Sequence, residues 1–551
     1  SPVRPGPAGG RTPPSLGGVA SAEADGTRAG VAILRRGGNA IDAAVAVALA
    51  LAVVHPQAGN LGGGGFALVR AEDGLHALDF RETAPAASVP GMYLDGGGNP
   101  VPGASIVGPL AAGVPGSPTG LFELHRRFGR LPWTDVVAPS IRLARDGFAV
   151  TPRLNEAIDW EKELLARFPE TAAVFLPGGA APPAGTTLRL PELASTLEAY
   201  AARGPEAIMT GPVAAAVERV SRAHGGILSA ADLATYRPEW RRPLLLRAFG
   251  WDIAAMPLPA SGGFILGQTL GILERRGYAA LPRAGPDRPH LLVEAWRRAY
   301  ADRVLLGDPA RLSFDPLDLL APGWLDARAA SIDPFHATPS TQVRPWDGAA
   351  AERAATTHLS VADAEGRSVA LTTTINGWFG CGLYVPGAGF LLNNEMDDFV
   401  TAPGRPNMFG LVQGGANAVR PGARMLSSMT PTIAWRAGEV IVLGSPGGSR
   451  IPTATVQVLL RMILEDQAIQ PAIDVPRLHH QWLPDEVVYE DGALSEGDRA
   501  ALRARGHVLK EASWHIGEVH VVRRRADGTF EAGADRRGPG TARLVSGAEG
   551  D

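Results

Sequence analysis

The chain changes character at Thr356. From Ser313 to Ala355 the sequence has no helical or strand period and accumulates Pro, Asp and small residues, which marks an exposed, flexible connection. At Thr356 this gives way to TTHLSVAD, a turn at Glu365 and Gly366, and then SVALTTTIN. Both runs are rich in β-branched residues, so a sheet begins at Thr356. GFLLNN at 389–394 continues the β-type pattern. Farther on, Thr432 to Trp435 and Val440 to Leu443 read as strands, GSPGGSR as a Gly-rich turn, and Ile451 to Asp466 as a helix.

The part before Thr356 reads differently. Ala24 to Val54 carries a helical pattern broken at Gly37 and Gly38, with Asn39 placed to cap the Ala-rich helix that follows. The apolar run Ala43 to Val54 is shorter than the roughly 20 residues that span a bilayer, so it reads as a buried helix. Asn60 to Gly65, NLGGGG, precedes the short strand Phe66 to Val69, whose hairpin continues through Asp73 and Gly74 to Phe80; the glycines read as tight packing. Leu121 to Ala301 is mainly helical by period and is expected to form an outer layer. Residues 1–20 open with a Pro/Gly/Arg-rich stretch that has no apolar leader segment, and are expected to be disordered.

Composition narrows the function classes. With 551 residues, 45% of them hydrophobic, the chain is long enough for a large core. The net charge is −4 with acids and bases interspersed, so there is no basic stripe for a nucleic acid. Cys381 is the single cysteine, which excludes an intrachain disulfide and limits any thiol nucleophile to that residue.

A flexible connection ending in Ala354 and Ala355, followed at once by a Thr on a strand, suits a self-cleaving threonine hydrolase. A cut between Ala355 and Thr356 would free the α-amine of Thr356, and an amine with a pKa of about 7.7 to 8.0 can take the proton from the residue's own hydroxyl. The local sequence also fits two ordinary strand threonines.

The segment from Thr356 to Phe399 resembles the γ-glutamyltransferase family around its catalytic threonine. DFRETAP at 79–85, RLARDGFAV at 142–150, LSSMTPT at 426–432, GSPGGSR at 444–450 and RLHHQWLPDE at 477–486 are similar to that family in the same order. The resemblance implies an α+β fold, a four-layer αββα sandwich of the N-terminal-nucleophile hydrolase type. It implies a heavy part, 21–355, and a light part, 356–551, interwoven as one sandwich after autocleavage. It implies no metal and no organic cofactor.

By the same resemblance Thr356 is the nucleophile, Thr374 and Asn376 support it, and Gly447 and Gly448 form the oxyanion hole. Arg81, Ser427 and Ser428 would bind a substrate α-carboxylate, while Glu395 and Asp398 would hold the α-ammonium group. Thr374 and Asn376 are two positions apart in one run, so both side chains are expected on one side of the sheet. GSPGGSR lacks the Lys of a phosphate loop. His479 and His480 are adjacent, with no spacing that completes a metal site, and read as structural. Pro403 to Arg424 resembles a movable lid. Phe409 stands where some relatives carry Tyr, which removes a hydroxyl latch to Asn376.

The implied activity is cleavage of glutathione and related γ-glutamyl compounds, with transfer to water or to an amino acid or peptide amine. The alternatives are a cephalosporin acylase-like amidohydrolase on the same fold and a γ-glutamyl-binding protein that never processes. A periplasmic or secreted location is also implied by the family alone. The expected outcome for purified protein incubated at neutral pH is two chains by intact mass, the lighter beginning Thr-Thr-His-Leu; one uncut chain would favour the binding protein.

Overall fold

The computed structural model describes residues 14–345 and 356–547. Residues 1–13, where most of the expected disordered segment lies, and Ala355 fall outside the described residues.

Two antiparallel sheets form the centre. The first has seven strands in the spatial order Thr541–Ser546, Ser15–Ser21, Thr356–Asp363, Ser368–Thr374, Gly64–Ala71, Gly74–Phe80 and Glu239–Arg241. The second has six, in the order Phe530–Gly533, His520–Arg524, Glu439–Gly444, Thr432–Arg436, Trp251–Ala255 and Leu244–Ala248. Each sheet draws strands from both sides of Thr356.

Strand periodicity sorts the side chains into layers. Ala20, Phe66, Leu68, Ala362 and Ala370 of the first sheet pack against Ile433, Val442 and Val522 of the second. The opposite face of the first sheet, with Val19, Leu359, Val361, Val369 and Leu371, packs on the helix Ala40–Val54. Helices Gly262–Arg275, Asp287–Arg303 and Ile451–Glu465 cover the second sheet through Leu270, Trp296 and Leu459 against Ile441 and Leu443. The result is helix, sheet, sheet, helix, the four-layer sandwich that the family resemblance implies.

Local chemistry explains several elements. All fifteen residues of Ala40–Val54 are buried, so a helix built from Ala, Val and Leu is needed there to let its neighbours approach on every side. It starts where expected, because the Asn39 side chain accepts from the N–H groups of Ile41 and Asp42, and Asp42 returns a bond to the Asn39 N–H. The glycine run at 62–65 packs against Ser368–Thr374, the strand beside that of Thr356: a Cβ on Gly63 would lie 1.9 Å from the carbonyl oxygen of Thr374, and one on Gly65 would lie 2.2 Å from that of Thr372.

Four expectations need correction. Ser15–Ser21 is not disordered but pairs on both sides, with Thr541–Ser546 and Thr356–Asp363. Its sequence, SLGGVAS, has little strand propensity; cross-strand pairing decides its conformation, and the bare Gly17 is required because a Cβ would meet the Ala362 carbonyl at 2.1 Å. The supposed helical layer contains five strands, the short pair Phe148–Ala149 and Thr187–Leu188 together with Glu239–Arg241, Leu244–Ala248 and Trp251–Ala255, which pairing selects over local period. The connection after Ser313 holds the helix Pro322–Ala330, whose Arg328 forms a buried ion pair with Asp302. GFLLNN forms only an isolated bridge, Tyr384 to Leu391, and the side-chain amides of Asn393 and Asn394 tie its end to the carbonyls of Gly62 and Ile106.

The glycine packing gives a direct test. Gly63→Ala is expected to displace Thr374 and destabilise the fold by about 1–3 kcal/mol, the usual cost of overpacking, with a matching loss of self-cleavage. Gly323→Ala, in the helix Pro322–Ala330 where a Cβ meets nothing within 4 Å, is expected to raise stability by up to about 1 kcal/mol. Thermal unfolding of both variants checks the contrast.

Candidate active site

Thr356 is the first residue of its strand and pairs in register with Thr374. Both sit on the face that looks toward the second sheet, the same face as His358, Ser360 and Thr372. Between the sheets that face turns polar: His358 shares hydrogen bonds with Thr372 Oγ1 and Ser360 Oγ, both at 2.9 Å. Burial pushes the His358 pKa far down, so its ring is a neutral structural element beneath the site.

The two threonine hydroxyl oxygens lie 3.4 Å apart. Thr374 Oγ1 accepts a hydrogen bond from the Asn376 N–H at 2.8 Å. Asn376 arrives by another route than strand alternation: the strand ends at Thr374, and Asn376 has a φ of 74°. This left-handed residue, tolerated better by Asn than by most side chains, turns the amide back toward the threonines. Its Nδ2 donates to the Asn394 carbonyl at 3.0 Å.

Two cavities meet at Thr356 and Phe409. One, of about 280 Å³ including its open mouth, is lined by Arg81, Thr374, Asn376, Glu395, Asp398, Ser427, Ser428 and Gly448. The structure therefore gathers the expected site residues from five separate stretches of sequence. The other cavity, of about 720 Å³, contains Gly447, Gln57, Trp378, Arg450 and Trp514. Gly447 and Gly448 adopt φ values of 131° and 56° at the turn into the helix Ile451–Glu465, which few residues other than Gly tolerate. Among the described residues no hydrogen bond claims their N–H groups, and each glycine shares a cavity wall with Thr356.

Arg81 is fully buried and surrounded by acids. Its Nη1 lies 2.5 Å from Glu395 Oε1 and 3.7 Å from Glu82 Oε2, and its Nη2 lies 2.6 Å from Asp398 Oδ2. Its Nε donates to the Met425 carbonyl and Nη2 to that of Leu426, both at 3.1 Å. One guanidinium thus faces three carboxyls. Burial, opposed by Arg81, raises the pKa of Glu82, Glu395 and Asp398, and neighbouring acids reinforce the rise at Glu82 and Glu395. Both oxygens of Glu82 and one of Glu395 have no hydrogen-bond partner. A pocket with surplus buried acid is built to receive a cation.

Glu82 was not singled out from sequence, although it sits inside DFRETAP. Arg303 was missed as well; it lines the same cavity from the helix Asp287–Arg303, and no local signal distinguishes it from the other arginines there.

The loop 403–424 is tied down. Asn407 Nδ2 donates to Asp398 Oδ1 at 3.2 Å, Met408 N–H donates to Asp397 Oδ2 at 2.8 Å, and Gln413 Nε2 donates to the Asp398 carbonyl at 2.6 Å. Phe409 has no hydroxyl to offer Asn376, and the thioether of Met408 stands 3.5 Å from Asn376 Nδ2 in its place. Gln481 Nε2 holds the Phe409 carbonyl at 3.2 Å. The neighbouring histidines are structural, as expected: His479 bonds Thr453 and Gln481, and His480 bonds Asp485 and the Trp482 N–H. Burial lowers their pKa values to about 3 and about 4.

His290, Glu294 and His507 bring potential metal-ligand atoms within 4.8 Å of one another. The two imidazoles already hydrogen-bond each other at 2.7 Å, and Arg297 and Arg298 hold Glu294. The adjacent guanidinium charges oppose a cation there.

A strand-borne threonine at the mouth between two stacked sheets defines an N-terminal-nucleophile hydrolase. A family model described as Gamma-glutamyltranspeptidase matches residues 26–545. The glutathione hydrolase proenzyme of Pseudomonas aeruginosa is 40% identical over 536 residues, covering 96% of this chain and 94% of its own length. That of Escherichia coli strain K12 is 41% identical over 525 residues, covering 94% and 90%. Among solved structures, cephalosporin acylase from Bacillus halodurans superposes with a TM-score of 0.85 at 27% identity, over 98% of both chains. The chain belongs to the γ-glutamyltranspeptidase family.

The acid cluster makes a pH prediction. Because burial raises these pKa values, the cluster takes up protons above the ordinary carboxylate range of about 4, and with them it loses its attraction for a substrate ammonium. For a γ-glutamyl substrate, kcat/KM is expected to fall on acidification from a limb above that range. Glu82→Gln removes a negative neighbour that raises Glu395, so the acid limb is expected to move to lower pH. The pH profile of kcat/KM reads both.

Proposed function

We propose that the protein is an autoprocessed γ-glutamyl transferase and hydrolase, acting on glutathione and related γ-glutamyl compounds. The observation that supports it most strongly is the juxtaposition of Thr356 with a small buried cavity carrying both buried acids and buried guanidiniums. Such a cavity suits a zwitterionic α-amino acid head group, with the side-chain carbonyl directed at the threonine.

In this reading, cleavage after Ala355 frees the Thr356 amine, which takes the proton from Oγ1 as that oxygen attacks the γ-carbonyl carbon. The N–H groups of Gly447 and Gly448 stabilise the oxyanion. Thr374 and Asn376 fix the hydroxyl. The C–N bond then breaks, the leaving amine takes the proton from the Thr356 amine, and a γ-glutamyl ester remains on Oγ1. Water or an amino acid or peptide amine attacks that ester, and Thr356 Oγ1 recovers its proton.

Arg81, Ser427 and Ser428 bind the α-carboxylate, and Glu395 and Asp398 bind the α-ammonium group. Charge-assisted hydrogen bonds contribute about 1.5–3 kcal/mol each, enough in combination to reject plain acyl amides by several powers of ten. The surplus acid around Arg81 favours this substrate over glutaryl amides, which lack the ammonium group. No helix among the described residues is long and apolar enough to cross a membrane; export to the periplasm or medium belongs to the same proposal.

Thr356→Ala is expected to leave a single uncut chain with no measurable turnover, read by mass and by release of p-nitroaniline from γ-glutamyl-p-nitroanilide; an active, processed variant refutes the nucleophile. For the wild type, γ-glutamyl-p-nitroanilide is expected to outpace glutaryl-p-nitroanilide by at least about 100-fold in kcat/KM, the scale of two such bonds. Equal rates would favour an acylase.

A further inference from the structure

The larger of the two cavities at Thr356, about 720 Å³, has walls that the γ-glutamyl head group does not use. Gly448 lines the smaller cavity, with the buried acids and guanidiniums, whereas Gly447 lines the larger. The two oxyanion donors therefore stand one on each side of the boundary. A substrate whose head group fills the smaller cavity and whose carbonyl carbon meets Thr356 Oγ1 directs its nitrogen, and whatever that nitrogen carries, into the larger one.

That side is aromatic and held in place. Trp378 and Trp514 meet edge to face, with ring centroids 5.7 Å apart and planes at 84°. The residues on either side of Trp378 are pinned: the Gly377 N–H donates to Asn394 Oδ1 at 2.8 Å, and the Phe379 N–H donates to the Gln57 carbonyl at 3.0 Å. The Arg153 guanidinium lies over the Trp514 ring, 5.3 Å from its centroid, and donates to Glu518 Oε1 at 3.0 Å and to the Arg537 carbonyl at 2.6 Å. Glu518 thus meets the charge of Arg153, and the two partly exposed indoles contribute ring surface to the cavity. Phe409 adds a third ring where the two cavities join.

Unpartnered polar atoms accompany the rings. Gln57 is 1% exposed and lines this cavity; its Nε2 donates to His55 Nδ1 at 3.1 Å, and its Oε1 has no hydrogen-bond partner among the described residues. Ser449, also 1% exposed and in the same lining, has an unpartnered Oγ. A buried oxygen without a donor gains from an incoming N–H.

We propose that this cavity takes the amine half of the substrate, both as leaving group and as acceptor, and that Trp378 and Trp514 make it select amines that carry an aromatic ring, aromatic amino acids among them. The inference rests on the γ-glutamyl reading and adds the substrate class on its nitrogen side. In acylation the C–N bond breaks and the amine leaves with the proton held by the Thr356 amine. In transfer the amine nitrogen bonds the ester carbonyl carbon, the C–Oγ1 bond breaks, and the proton lost by nitrogen reaches Oγ1 through the Thr356 amine. Edge-to-face or offset contact with the indoles favours a ring over an aliphatic side chain.

The test compares γ-glutamyl-L-phenylalanine with γ-glutamyl-L-leucine, which share the head group and differ only in the side chain of the leaving amine. kcat/KM is read from release of the free amino acid by wild type, Trp378→Leu, Trp514→Leu and Trp514→Phe, after processing and thermal stability have been checked. Wild type is expected to favour the phenylalanine compound by about 5- to 10-fold, the scale of one aromatic pair. Each substitution by leucine is expected to bring the ratio to about 2 or below, while Trp514→Phe keeps it above about 3, because a ring remains.

A wild-type ratio near one would overturn the proposal and leave the γ-glutamyl reading standing. Substitutions that slow both compounds equally, or that keep the wild-type ratio, would overturn it as well. Failure of every variant to process would assign the two rings to the scaffold, with the same result. If wild type cleaves neither compound but does cleave glutaryl-p-nitroanilide, the γ-glutamyl reading fails, and the ratio between glutaryl-L-phenylalanine and glutaryl-L-leucine decides the tryptophan proposal by the same limits.

Discussion

The pairing of Thr356–Asp363 with Ser368–Thr374 is the constraint on which the rest of this structure depends. Its register sets Thr356 opposite Thr374 and turns both toward the second sheet. A slip of one residue would send the hydroxyls into the helix layer and bring Leu359, Val361 and Leu371 into the space between the sheets. The apolar contacts of those residues with the helix Ala40–Val54 therefore fix the orientation of the nucleophile as firmly as any polar contact beside it.

Packing and chemistry are joined again in the glycine turns. Backbone from Gly62 to Gly65 comes so close to Thr374 and Leu391 that any side chain would displace them. Gly447 and Gly448, which line the cavities at Thr356, adopt conformations that other residues resist, and no hydrogen bond among the described residues claims their N–H groups. The threonine is thus held between a tightly packed wall and a pair of unclaimed donors, an arrangement prepared before any charge develops on substrate.

The charge arrangement concentrates its cost in one place. Glu82, Glu395 and Asp398 around Arg81 are buried with several oxygens unsatisfied, and Arg303 is buried with no ion pair among the described residues. Each group by itself is unfavourable in a fold of this kind. In the proposed reading a zwitterion relieves both imbalances together, its ammonium group offsetting the acids and its carboxylate the buried guanidiniums. A glutaryl or aminobutyryl amide relieves only one, so in this reading discrimination follows from leaving a buried charge uncompensated.

Much was legible before any coordinates. The β-type runs after Thr356 and the Asn39 cap follow from side-chain shape and hydrogen-bonding capacity, which are local properties. The ordered motifs reached further and named ten site residues, of which all but Gly447 line one cavity, with Gly447 in the cavity that adjoins it. What the sequence could not hold was decided by contact between distant segments. Ser15–Ser21 is a strand because two partners pair with it, against its weak propensity. Asn376 reaches the threonines through a left-handed turn and not by strand alternation. Arg303 reads as one more arginine on a helix until folding buries it beside Ser428. Local sequence encodes what a segment can become, whereas burial and pairing, which depend on residues hundreds of positions away, decide which charges are left for a substrate to satisfy.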